Sequence, residues 1–160
     1  SLYKEPGVEW LAQFRDEISQ FDDHCDIDNI ILQHRYLQGA PSESLKGNIA
    51  GDYYAVEKGL EFRLNFKANQ NVGFFLDMAE CRQVLRESVK GNSVLNLFAY
   101  TCAFSVVAAE AGAAKVVNVD MAKGALNTGR LNHQLNAIDS RSVSYLGHDI
   151  LGQDPQVWPL

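Results

Sequence analysis

The sequence predicts an α/β fold built around a parallel sheet, and two observations predict it. Residues 93–98 and 115–120 are short runs of apolar and β-branched residues, typical of parallel strands that are buried on both faces. The segment between them has apolar residues at helical spacing, at Phe104, Val107, Ala108 and Ala111. Gly112 then supplies a helix stop, so the stretch is a strand–helix–strand unit whose crossover should be right-handed.

A small α+β region is predicted to precede this sheet, over residues 1–70. An amphipathic helix is expected over residues 6–22. Its apolar face holds Val8, Leu11, Phe14, Ile18 and Phe21. Residues 29–36 have the composition of a strand, and residues 37–52 that of a loop rich in turn residues. Residues 53–66 alternate in period two around a Lys-Gly turn, which predicts a β-hairpin.

A second helix is expected within residues 73–92. Asp77 follows a short extended stretch and is placed to cap the N-terminus of that helix, where it can pair with Arg82. The inward-facing side chains are expected to be Val84, Leu85 and Val89. A cap paired with an arginine is a sufficient structural role for both residues, without any ligand.

A third helix and a third strand are predicted after Asp120. Residues 121–138 are helical by pattern, and His133 on this helix is expected at the surface. The core candidates are Ala125, Leu126, Leu131 and Leu135. Residues 140–150 supply the strand, and Asp149 stands after its end.

Length and composition are those of an ordinary soluble globular protein. The 160 residues, 46% hydrophobic and 21% charged, suffice for one domain with a core, or one domain with a small appendage. No apolar run approaches the roughly 20 residues that span a membrane, so no membrane association is expected. The three cysteines, Cys25, Cys81 and Cys102, lack metal-ligand spacing. We therefore expect no metal site, and a reduced cytoplasm is the simplest compartment.

The net charge of −6 lies entirely in the first 30 residues. They hold eight acidic residues against Lys4 and Arg15, and the remainder of the chain is balanced. A surface that binds nucleic acid is normally basic, because neutralising phosphates supplies much of the affinity. The composition therefore gives no support to nucleic-acid binding.

The turn after the first strand of the sheet has the features of a nucleoside site. It opens at the carboxyl end of a parallel strand, where open α/β sheets bind ligands. Asp120 ends the next strand, 24 positions after Asn96, where such folds place an acid for ribose hydroxyls. No glycine occurs between Gly91 and Gly112, so the glycine-rich approach to a pyrophosphate is missing. These observations favour S-adenosylmethionine (SAM) as the ligand, and an ordinary strand-end Asp in solvent is the alternative.

Three motifs in order carry a resemblance to a known family. They are GFFLDMAECR at 73–82, VLNLFAYTCAFSV at 94–106, and VVNVDMAKGAL at 116–126 followed by LN at 131–132. The chain resembles class I SAM-dependent methyltransferases, and within them the bacterial ribosomal-RNA large-subunit methyltransferases. The resemblance covers roughly residues 33–150.

The resemblance implies a Rossmann-like sheet of seven strands in the order 3-2-1-4-5-7-6. Strands one to three are expected in a SAM-binding domain over residues 71–160, truncated before strand four. The motif at the methyl acceptor would follow Leu160, so the catalytic residues are unknown and the fragment alone is expected to be inactive. The implied reaction is an in-line methyl transfer from the sulfonium of SAM to RNA, with the base and its position unspecified.

The resemblance also implies a set of cofactor-binding residues. The turn and the start of the following helix would line the methionine part of SAM, through Asn96, Phe98, Ala99, Tyr100, Thr101, Phe104 and Ser105. Asp120, with Met121 beside it, would bind the ribose, and Asp149 the adenine amino group. Asp77 or Arg82 would contact SAM or order a loop that does.

Two alternative functions stay open at this point. One is a non-catalytic SAM-binding fragment or adaptor, favoured by the missing strand four and the acidic N-terminus. The other is half of a dinucleotide-binding oxidoreductase domain, which the absent glycines disfavour. An RNA substrate rests on the resemblance alone, and an unpaired central strand would allow a homodimer.

Overall fold

A computed structural model describes residues 2–25, 27–48, 51–67 and 71–152. Their contacts divide the chain into two compact units. The first contains Ser1–Tyr53 and Leu64–Val72, and the second contains Tyr54–Arg63 and Gly73–Leu160. The sequence grouped the whole hairpin with the N-terminal region, whereas most of it belongs to the second unit. In the described part of the chain, no helix has the length and apolar character needed to cross a membrane.

The first unit contains one helix and a two-stranded sheet. The helix α1 spans Val8–Cys25, and strands β1 (Ile30–Gln33) and β2 (Ser42–Lys46) pair antiparallel. The prediction of a loop over residues 37–52 is therefore wrong for β2. The sequence of β2, SESLK, has a single apolar residue and no alternation, so only its backbone pairing with β1 marks it as a strand.

The apolar face predicted for α1 is only partly buried at Leu11, Phe14 and Ile18, and the side chain of Phe21 lies outside the described part of the chain. Trp10 and Phe14 stack with their ring centroids 5.2 Å apart. Val8 is 87% exposed, so its predicted place on the buried face is wrong. It lies in the first turn of the helix.

Strands β3 (Tyr53–Glu57) and β4 (Leu60–Leu64) form a second two-stranded sheet. Lys58 and Gly59 join them, both with positive φ, as a two-residue turn between twisted strands requires. A single 3-10 turn, Leu76–Met78, then leads into helix α2 (Ala79–Ser88).

Helix α2 corrects two predictions. Its N-cap is Met78, without a side-chain hydrogen bond, so Asp77 does not cap it and lies in the preceding turn instead. Val84 was expected inside and is 66% exposed, whereas Val89 is 3% exposed as expected. The inward face of α2 also carries a buried cation, Arg82, which an apolar pattern cannot show.

The second unit is organised around a three-stranded parallel sheet in its described part. The elements follow as β5 (Ser93–Leu97), α3 (Ala103–Glu110), β6 (Lys115–Asp120), α4 (Lys123–Leu135) and β7 (Val143–Gly147). The strand order is β5-β6-β7, and Asn96 lies opposite Asn118 across β5 and β6. The predicted α/β fold with a parallel sheet is confirmed.

One face of this sheet is packed into a core. Val116 of β6 and Val143 of β7 are buried there against Val89, Ala108 and Ala113. On the opposite face, leucine side chains of the sheet are exposed by 40–58%, at Leu95, Leu97 and Leu146.

Helix α4 buries a face that the apolar pattern did not predict. Leu131 and Leu135 are each 40% exposed, so their predicted place in the core is wrong. The buried residues of α4 are Leu126, Gly129, Asn132 and His133. The prediction that His133 lies at the surface is also wrong, because its side chain is 3% exposed.

Candidate functional site

The turn between β5 and α3, Phe98–Cys102, has an unusual backbone. Phe98, Tyr100 and Cys102 all have positive φ, at 54°, 47° and 62°, although none is glycine. A non-glycine residue in this region costs roughly 1–3 kcal/mol, and such residues cluster at binding and active sites. The surrounding structure must therefore hold this turn in place.

Hydrogen bonds from three directions fix the turn. Thr101 Oγ1 donates to the Gly73 carbonyl at 2.6 Å, and the Thr101 carbonyl accepts from Asn132 Nδ2 at 2.9 Å. The Tyr100 N–H donates to Asp120 Oδ2 at 2.7 Å. Asn132 Oδ1 also accepts from the Arg63 N–H of β4, so one buried side chain ties the hairpin to the turn.

Cys102 packs against helix α4 at Gly129. A Cβ at Gly129 would lie 2.4 Å from Cys102 Sγ, so this helix position accommodates the cysteine by having no side chain. Burial, with Asp120 nearby, raises the pKa of the Cys102 thiol to about 12. The thiol therefore stays protonated, as expected for a packing residue and not for a nucleophile.

The two strand-end acids lie at the same edge of the sheet. Asp120 accepts backbone N–H bonds on both oxygens, from Tyr100 at 2.7 Å and Ala122 at 2.8 Å. A carboxylate offers about four lone-pair positions, so Asp120 keeps acceptor capacity for a ligand. The His148 N–H donates to the Asp120 carbonyl, which holds Asp149 next to the end of β6. Asp149 is exposed, with Oδ1 accepting from the Leu151 N–H.

A pocket of about 580 Å³ opens beside β5 and the turn. Eight of the predicted cofactor-binding residues line it, namely Asp77, Arg82, Asn96, Phe98, Ala99, Tyr100, Thr101 and Phe104. Phe75 joins them, with its ring centroid 5.6 Å from that of Tyr100. Four predicted residues lie outside the lining: Ser105, Asp120, Met121 and Asp149. Ser105 is fully buried, and Met121 is 71% exposed.

A buried ion pair supports one wall of this pocket. Arg82 donates through Nε and Nη2 to the two carboxylate oxygens of Glu57, both at 2.7 Å, and through Nη1 to the Phe75 carbonyl at 3.0 Å. Its guanidinium also lies over the Phe74 ring, 4.4 Å from the centroid. These hydrogen bonds from Arg82 hold the pKa of Glu57 below its usual range. The pairing of Arg82 with Asp77 expected from the sequence is thus replaced by one with Glu57.

A chain of buried polar side chains, which the sequence did not predict, begins at Asn96 in the pocket lining. Asn96 Nδ2 donates to Asn118 Oδ1, and Asn118 Nδ2 donates to Ser105 Oγ, each at 2.9 Å. Ser105 Oγ lies 2.9 Å from His133 Nε2, and His133 Nδ1 lies 2.7 Å from the Gly129 carbonyl. Asn118 and Ser105 are fully buried. A polar residue, Asn118, between the valines of the strand KVVNVD was the available signal.

We expect His133 to make the protein sensitive to mild acid. Burial lowers the pKa of His133 below 6.5, so below pH 6.5 the unfolded chain binds a proton that the folded chain resists. The free energy of unfolding is therefore highest above pH 6.5, where the ring is neutral in both states. It should fall by up to about 1.4 kcal/mol by pH 5.5. The measurement is urea unfolding at several pH values.

His133→Gln should remove this dependence of the free energy of unfolding on pH. His148→Gln is the matched control and should retain it. Tyr145, whose ring packs edge-on against His133, has its pKa raised by burial to about 12 and does not titrate in this range. Glu43 and Glu57 have lowered pKa values, so the stability that these carboxylates contribute is lost only below about pH 4.5. The same slope in His133→Gln as in the wild type would contradict the prediction.

Comparisons with known proteins agree on one family. A family model for S-adenosylmethionine-dependent methyltransferases matches residues 1–157 of the chain. The chain is 36% identical to ribosomal RNA large subunit methyltransferase I of Aeromonas hydrophila subsp. hydrophila over 92 residues, 58% of this chain and 23% of that protein. It is 37% identical to ribosomal RNA large subunit methyltransferase K/L of Shewanella loihica over 127 residues, 79% of this chain and 18% of that protein.

A solved structure supports the same likeness. It is described as a methyltransferase complexed with SAH, and it superposes with a TM-score of 0.78 at 29% identity. The superposition covers 88% of this chain and 37% of the other. The chain thus spans about a fifth of the length of the two relatives above.

Proposed function

This chain belongs to the S-adenosylmethionine-dependent methyltransferase family, and on that premise we propose that the protein transfers a methyl group from SAM to ribosomal RNA. The observation that carries the proposal is the strained turn Phe98–Cys102, which is fixed by Asp120 at the carboxyl edge of a parallel sheet. This is where open α/β sheets bind nucleoside ligands.

The residues at this edge fit the parts of SAM. We propose that the methionine part enters the pocket beside Asn96 and Tyr100. Asp120, which keeps lone pairs on both oxygens, takes the ribose hydroxyls with Met121 beside it. Asp149, exposed after β7, accepts from the adenine amino group. A glycine-free turn suits a ligand that carries no pyrophosphate.

The finer architecture is part of the proposal. We assign β5, β6 and β7 to the first three strands of the class I methyltransferase sheet, since their order and parallel pairing match that arrangement. The SAM-binding domain is proposed to begin near residue 71. The hairpin residues Tyr54–Arg63 serve as its support, because Glu57 and Arg63 bond to Arg82 and Asn132.

Arg82 is proposed to order the pocket wall and not to bind the ligand directly. All three of its described donor contacts are to Glu57 and the Phe75 carbonyl, and its side chain is 2% exposed. Asp77 is exposed at the pocket and is the better candidate for ligand contact.

The chemistry divides between cofactor and protein. SAM, when bound, supplies a methyl group activated by its sulfonium. The residues described here bind and orient, and the aromatic rings of Phe98, Tyr100 and Phe104 are placed to exclude water and to face a cation. The catalytic residues stay unassigned.

Ribosomal RNA is proposed as the acceptor because both curated relatives above are named for it. The cytoplasm is then the proposed compartment, since that is where bacterial ribosomal RNA is found. The acidic N-terminal region makes this chain's own contribution to RNA affinity small.

The test is methyl transfer from labelled SAM to unmodified ribosomal RNA by the product of the complete gene, with transfer RNA and protein as parallel acceptors. We expect label in ribosomal RNA and none in the other two. Label in transfer RNA alone would contradict the proposed substrate class. SAM binding without transfer to any acceptor would favour the adaptor.

A further inference from the structure

Two asparagines of α4 bind the outer edge of strand β4. The Glu61 N–H donates to Asn136 Oδ1 at 2.9 Å, and the Glu61 carbonyl accepts from Asn136 Nδ2 at 2.7 Å. The Arg63 N–H donates to Asn132 Oδ1 at 2.9 Å. Four residues of a helix rise about 6.0 Å and two residues of a strand about 6.7 Å, so the two amides match successive outward-facing positions of the strand. They take the place of a neighbouring strand.

The donor end of each amide distinguishes the two asparagines. Asn136 Nδ2 donates to the Glu61 carbonyl and to the Asn132 carbonyl of its own helix, so its bonds stay between α4 and the hairpin. Asn132 Nδ2 donates at 2.9 Å to the Thr101 carbonyl, in the turn Phe98–Cys102. Asn132 is fully buried, whereas Asn136 is half-buried. Of the two, Asn132 is therefore the one that connects the hairpin to the candidate cofactor site.

The two partners of Asn132 fix the orientation of its amide. A backbone N–H only donates and a backbone carbonyl only accepts, so Oδ1 must face Arg63 and Nδ2 must face Thr101. The backbone of the hairpin thus holds the amide with its donor toward the turn. A buried carbonyl that loses its donor is costly, so this donor contributes directly to the conformation of the turn.

The Thr101 carbonyl lies in the strained part of the turn. Its neighbours Tyr100 and Cys102 have φ of 47° and 62°, and Tyr100 and Thr101 line the pocket. Strained residues keep such conformations only where the surrounding structure holds them. Asp120 holds the Tyr100 N–H, and Asn132 holds the carbonyl side of the Thr101–Cys102 peptide. Without the bond from Asn132, the turn can relax toward negative φ and move its pocket-lining residues.

We propose that Asn132 is a positioning residue for the cofactor, which keeps the turn Phe98–Cys102 in the conformation that binds SAM by holding the Thr101 carbonyl. The inference rests on the proposed function, in which SAM binds beside this turn. Asn136 bonds the same hairpin but not the turn, so its role is structural only. The two positions therefore form a matched pair for a test.

The test is calorimetric titration of the product of the complete gene with S-adenosylhomocysteine (SAH). Asn132→Asp keeps the shape of the side chain. Its ionised carboxylate still accepts from Arg63 but offers no donor to Thr101, whereas the protonated carboxyl donates again. Burial raises the pKa of a carboxyl, so the titrations run from about pH 6 to about pH 8.5. Relative to the wild type at the same pH, Asn132→Asp should bind SAH about 5- to 150-fold more weakly at the alkaline end and recover toward the acid end.

Two further variants separate positioning from stability. Asn132→Ala lacks the donor at every pH and adds no buried charge, so it should bind SAH weakly across the whole range without recovery in acid. Asn136→Asp removes donor bonds from the same helix without touching the turn. Its SAH affinity should equal that of the wild type throughout, even where its free energy of unfolding falls. Asp120 and His133 are present in every variant, so comparison with the wild type at the same pH removes their titration.

Three results would overturn this inference alone. They are wild-type SAH affinity in Asn132→Ala, equal weakening in Asn136→Asp and Asn132→Asp, and a loss of affinity in Asn132→Asp that is the same at both ends of the pH range. The last would mean that the donor to Thr101 is not what the site needs. A wild-type protein that does not bind SAH would overturn the proposed function and this inference with it.

Discussion

Arg82→Met should destabilise the protein by about 3–5 kcal/mol, the cost of leaving the partner of a buried ion pair without its counter-charge. Arg82 is 2% exposed and Glu57 19% exposed, so water can replace little of the lost interaction. The Phe75 carbonyl loses its donor as well. The measurement is the free energy of unfolding in urea.

A double variant separates the ion pair from simple packing. Glu57→Leu combined with Arg82→Met removes both charges and should recover much of the stability, because a matched apolar pair leaves no buried charge. Arg141→Met is the control, since the ion pair of Arg141 with Asp139 is exposed and its loss should not be measurable. An Arg82→Met variant as stable as Arg141→Met would contradict the assigned role.

Asp120→Ala should weaken SAM binding by about 1–3 kcal/mol, roughly 5- to 150-fold. The carboxylate is proposed to take the ribose hydroxyls, and it also holds the Tyr100 N–H that fixes the strained turn. Calorimetric titration with SAM measures the change.

Asp120→Asn distinguishes the two roles of this side chain. It keeps one acceptor oxygen for the turn but loses the charge and one acceptor, so its affinity should fall between wild type and Asp120→Ala. Asp139→Asn changes an exposed acid after α4 and serves as the control with unchanged affinity. Wild-type affinity in Asp120→Ala would return Asp120 to the role of a strand-end acid in solvent.

The parts of the fold that the sequence predicted are those with local signals. The strands β5 and β6 are apolar runs, and a helical period with a glycine stop separates them, so the parallel sheet followed from neighbouring residues. The family resemblance seen in the three motifs is confirmed by the family model.

The missed parts depend on contacts between distant residues. Glu57 and Arg82 are 25 positions apart, and nothing near either residue marks the pair. His133 and Asn132 are polar residues of the kind usually found at a surface. They are buried because their hydrogen-bond partners, Ser105 on α3 and Thr101 in the turn, lie in the interior. The buried face of α4 therefore could not be predicted without knowing where these partners lie in the fold.

Calorimetric titration of the purified protein with SAM and, separately, with NAD tests the central claim most directly. The account predicts saturable binding of SAM and none of NAD, because the turn Phe98–Cys102 lacks the glycines that let a backbone approach a pyrophosphate. Binding of NAD without binding of SAM would contradict it.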